Sequence, residues 1–161
     1  MKHFICCLAV LVAVALIPSA ALAHNIAGGC GSNANKTISN ENSFATLCSA
    51  TLSLTDDTHF CVATGSAEAQ NPNAGTNNDY LFVLATTPNG PGFDSAWERK
   101  VELNDNPGID DPDTAIASTV RFFQLAPGTY TFYWLARPES SDDANVVISD
   151  YSMGVVCTDG R

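Results

Sequence analysis

Two histidines and one acidic loop carry the side chains in this sequence best suited to chemistry. His24 follows the A-x-A pattern Ala21-Leu22-Ala23, and cleavage there makes it the amino terminus. A free N-terminal histidine chelates copper through its amine and imidazole, and His59 is the second histidine such a copper site would need. The acidic loop runs Asn104-Asp105-Asn106-Pro107-Gly108-Ile109-Asp110-Asp111-Pro112-Asp113. The carboxylates of Asp105, Asp110, Asp111 and Asp113 are oxygen ligands of the kind Ca²⁺ takes. Their spacing is not that of an EF-hand loop, and Asp, Asn, Pro and Gly also build acidic turns without metal. Calcium in this loop is the cofactor expectation, with copper at His24 and His59 the second.

Hydrolytic motifs are absent: the chain has neither G-x-S-x-G nor H-E-x-x-H. The 17 acidic residues form many carboxylate pairs, but a sequence gives no distances with which to select a pair for glycoside cleavage. A non-enzymatic protein is therefore expected. Trp97, Tyr130, Tyr133 and Trp134 could stack on sugars, but aromatic residues at strand spacing more often fill a core.

These residues depend on the elements that hold them. Residues 1–23 read as a secretory signal peptide: Lys2 and His3, a 14-residue apolar run from Phe4 to Ile17, the break at Pro18-Ser19, then the cleavage pattern. The run is too short to cross a bilayer as a helix. Its removal takes away Lys2, Cys6 and Cys7, so the net charge of -10 becomes one unit more negative and four of six cysteines remain. An acidic chain with few basic residues is not built for nucleic acid, and no later run suggests integral membrane contact. The expected compartment is extracellular or periplasmic.

Residues 24–43, rich in Gly, Asn and Ser, read as an extended N-terminal arm, with a glycosylation sequon at Asn35-Lys36-Thr37. Residues 44–161 read as one domain. Phe44, Cys48, Ala50, Leu52 and Leu54 are expected on one strand face. Further strands follow at Phe60–Ala67, Tyr80–Ala85, Trp97–Leu103, Ile116–Leu125, Thr129–Arg137 and Asn145–Cys157, separated by Asn/Gly/Pro/Asp clusters. Ala126-Pro127-Gly128 suits a type II turn. Seven or eight short strands without an amphipathic helix predict an all-β antiparallel sandwich.

Four cysteines in an exported chain predict two disulfides, with three connectivities possible. Cys61 lies early in the first well-formed strands and Cys157 at the end of the last, and such strands often neighbour each other. Cys61–Cys157 with Cys30–Cys48 is the preferred pairing.

The segment Phe122-Phe123-Gln124-Leu125-Ala126-Pro127-Gly128-Thr129-Tyr130-Thr131-Phe132-Tyr133-Trp134, followed by Val146 to Met153, resembles the C-terminal hairpin of C1q/TNF-like jelly rolls. The resemblance covers about 35 residues. It implies a jelly roll whose final strand pairs back to the first, frequent trimerisation, binding loops and no catalysis. The two disulfides and the lack of a collagen-like stalk depart from that family. The sequence thus predicts a secreted, non-enzymatic binding or surface-interaction module for a protein or carbohydrate ligand, able to form homo-oligomers. The alternative is a metal-linked, carbohydrate-active or carbohydrate-binding protein.

Overall fold

Strict alternation of side chains along a strand leaves one face to bury, and two such faces close over a core. The computed structural model describes residues 25–71, 78–91, 98–103, 114–140 and 146–159. Among these there are nine strands and no helix: β1 (Asn25–Ser32), β2 (Lys36–Ile38), β3 (Ala45–Leu54), β4 (His59–Gln70), β5 (Asn78–Ala85), β6 (Arg99–Leu103), β7 (Thr114–Leu125), β8 (Gly128–Pro138) and β9 (Val146–Asp159). They form two antiparallel sheets. One has the order β1-β9-β4-β7 with β2 also on β9, and the other β3-β8-β5-β6. Successive strands mostly alternate between the sheets, and the order is that of a jelly roll.

The segment expected as an arm belongs to the sandwich. β1 pairs along its whole length with β9, from Asn25↔Thr158 to Ser32↔Tyr151, and β2 continues on the same strand. The sequence hides this because Gly, Ser and Ala give little hydropathy contrast, while the pairing itself is made by backbone groups. β8 and β9 do not form a hairpin. They lie in opposite sheets, so the C-terminal hairpin of the resemblance is not formed. Gly128 has φ +157°, far beyond the roughly +80° of a type II turn, and opens β8 directly.

Trp134 is at the centre of the core, fully buried and tilted against Phe82 at 5.5 Å between ring centroids. It spans the gap between the sheets: its indole Nε1 donates to the Ser66 carbonyl at 3.3 Å. Gly65 makes room for it, since a Cβ there would come within 2.8 Å of the indole. Two disulfides staple the layers and strands. Cys61–Cys157 joins residues directly opposite each other on β4 and β9, and Cys30–Cys48 ties β1 of one sheet to β3 of the other.

Phe44 is not on the face expected for it. The β3–β8 register slips between Thr46 and Cys48, and the extra residue, Leu47, reverses the parity of everything before it. Phe44 therefore packs on the outer side of the four-stranded sheet with Val83, Ala85, Leu135 and Tyr133. Its ring lies 5.3 Å from the Arg137 guanidinium and close over Gly90, whose φ of +71° and lack of a Cβ permit the contact. Arg137 in turn meets Glu98 at 3.6 Å, both side chains nearly fully buried. The outer face of this sheet is thus roofed by the chain's own segments.

Candidate interaction face

Among the described residues, no segment roofs the outer face of the five-stranded sheet. β7 shows why in its residue order. Its inward positions include Thr119 and Arg121, while Ile116, Val120 and Phe122 point outward, the reverse of the usual partition. Arg121 is tolerated inside because it donates to the Leu84 carbonyl at 2.7 Å and lies over the Phe123 ring; burial lowers its pKa. On β4 the outward residues begin with Phe60 and Val62, and on β9 they include Val156.

Strand register assembles these side chains into one surface. Four rows cross β1, β9, β4 and β7: Asn25–Thr158–Phe60–Gln124, Ala27–Val156–Val62–Phe122, Gly29–Gly154–Thr64–Val120 and Gly31–Ser152–Ser66–Ser118. No Asp, Glu, Lys or Arg occupies any position in these rows. Among the described residues, every large apolar side chain that is exposed lies on this face: Phe60, Val62, Ile116, Val120, Phe122 and Val156, with Ile116 at 74% and Phe122 at 70% exposure. The apolar row forms a ridge. Beside it a shallow groove of about 550 Å³ runs over Thr64, Ser66, Ser118, Ser152 and Gly154, bordered by Arg99 from β6. Charge resumes beyond the rows, at Glu68, which accepts from Gln70 and Ser149.

The residues singled out from sequence fare differently. His24 lies outside the described residues, as do the calcium candidates Asp105, Asp110, Asp111 and Asp113, and Trp97. His59 is 1% exposed, with Nδ1 2.8 Å from the Asp57 carbonyl, so it anchors the turn before β4. Trp134 is core, Tyr130 packs against that core, and Tyr133 belongs to the cluster under Phe44. This apolar outer face carries no reactive side chain that would single it out in the sequence. Its signal was the second apolar set on β4 and β7, at positions where an exposed face is ordinarily polar.

No protein-family model and no curated protein matches the chain.

Proposed function

We propose that this protein is a secreted, non-enzymatic module that acts by surface interaction, and that the outer face of the five-stranded sheet is its docking surface. The observation that carries the reading is the gathering of all exposed large apolar side chains among the described residues onto one sheet face, four rows of which hold no charged residue. An apolar face of several hundred Å² is a mark of an interaction site, because exposing it to water is unfavourable unless a partner covers it. Support for export comes from the leader pattern in residues 1–23 and from the two disulfides, which form and persist in oxidising compartments. The jelly-roll strand order is in keeping with the C1q/TNF-like resemblance of the C-terminal strands.

The test is retention on a phenyl-substituted matrix at moderate salt. Wild-type protein is expected to be retained, and the double variant Phe60→Ser/Phe122→Ser to elute early with a melting temperature within about 2 °C of wild type, as surface changes rarely move stability far. Equal retention of both proteins would place the interaction surface elsewhere.

A further inference from the structure

We infer that the occupant of this face is a second copy of the chain, seated face to face about a two-fold axis that crosses the strands over the row Gly29–Gly154–Thr64–Val120. The inference rests on the docking-surface reading above and names its partner.

Three observations lead there. The first is charge. The chain carries -10 overall, so two copies repel wherever carboxylates meet, and the four uncharged rows are a place where they can touch without that cost. The second is shape. A two-fold axis over the Thr64 row brings each strand opposite itself, running the other way. Phe122 then faces Ser118 of the second copy, Val62 faces Ser66, Val156 faces Ser152 and Ala27 faces Gly31. Every bulky residue of the ridge meets a small residue of the groove, the self-complementarity an isologous interface requires. The third is area. Four strands about 4.8 Å apart, taken over the uncharged rows from Phe60 to Ser66 at about 3.4 Å per residue, give roughly 450 Å² of projected face. Two such faces together bury about 900 Å², the size of a weak, reversible interface rather than an obligate one. Sheet faces packed this way sit about 10 Å apart with interdigitated side chains, as the two sheets within one copy already do.

The chemistry of the face favours protein over sugar. Val62, Val120, Val156 and Ile116 have branched aliphatic side chains with neither a planar surface for a pyranose ring nor a hydrogen-bonding group, and the aromatics are phenylalanines.

The exported protein, with its disulfides intact, is examined by sedimentation velocity from about 1 to 100 µM. A species of twice the chain mass is expected, and Phe122→Lys should weaken it at least tenfold while leaving the circular dichroism spectrum and melting temperature unchanged. Under mild oxidant, Val120→Cys should form a covalent dimer, because position 120 faces itself across the axis. Ile116→Cys, more exposed in the single chain, should not, because position 116 faces Gln124. A protein that stays monomeric throughout would overturn the inference. So would a dimer that ignores Phe122→Lys, or one in which Ile116→Cys cross-links and Val120→Cys does not. The phenyl-matrix experiment judges the docking surface separately. A monomer that is retained there through Phe60 and Phe122 refutes self-association alone. If that monomer also binds cellulose or chitin particles through the same residues, the occupant is a carbohydrate.

Discussion

At the scale of single residues, the sandwich is organised by one large side chain and the small one beneath it. Trp134 reaches from β8 across the core to β4, and Gly65 is the only residue type that leaves room for its indole. Gly65→Ala is expected to destabilise the protein by about 1–3 kcal/mol in urea unfolding, the usual cost of adding a methyl group to a filled core. Pairing it with Trp134→Phe should recover part of that loss, since the smaller ring frees the space. No loss in the single variant would mean that the indole shifts freely. The aromatic character of this strand is plain in the sequence, and so is the likelihood of core burial that spacing implies. That Gly65 is the other half of the contact is not, because the two are 69 positions apart and meet only when the sheets close. Similarly, Arg137 and Glu98 carry no local mark of being buried together. On the outer side of the same sheet, Lys100 is held by Asp79 at 2.7 Å and Glu139 at 2.8 Å. These hydrogen bonds raise its pKa, so its charge persists at any pH the fold is expected to meet.

At the scale of elements, strand existence is easier to anticipate than strand neighbours. Alternation locates β3, β4 and β7 to β9 within a few residues of their ends. It fails at β1, where inward Ile26 and Cys30 are separated by Gly28 and flanked by Ala27, Gly29 and Gly31, so that little contrast marks the two faces, and before Leu47, where a single inserted residue turns Phe44 to the opposite face. The cysteines show how far reasoning about neighbours can go. Cys61 and Cys157 sit opposite each other because the last strand inserts between β1 and β4. Their sequence separation of 96 closes a far longer loop than the separation of 18 between Cys30 and Cys48. In the chain-entropy model the first bridge stabilises by about 5 kcal/mol and the second by about 3. Cys61→Ala/Cys157→Ala is therefore expected to lower the denaturation midpoint more than Cys30→Ala/Cys48→Ala. The reverse order would show that fastening the open edge between the sheets matters more than loop length.

At the scale of the whole molecule, the two outer faces are unlike. One is roofed by Phe44 and the segment around Gly90, and the other presents uncharged, apolar rows to solvent. A dimer built on the bare face has no ion pairs across its central rows to be screened, while the net charges of the two copies repel over a longer range. Raising NaCl from about 0.05 to 0.5 M shortens the Debye length from roughly 14 to 4 Å, so the dimer is expected to tighten in sedimentation as salt is added. A dimer that loosens would point to attraction between opposite charges instead. The amino-acid sequence by itself determined the class: strands from period-two alternation, turns from Asn, Gly and Pro, two disulfides from the four cysteines that follow residue 23. Each of these follows from local chemistry, acting over a few residues. Only the tertiary structure decided which side of each strand is covered, because hydropathy alternation distinguishes two faces without saying what will lie against them. On β7 both faces carry apolar residues, and it is the jelly-roll register, set by backbone pairing over more than a hundred positions, that turns one of them inward and gathers the other with Phe60, Val62 and Val156 into a single surface.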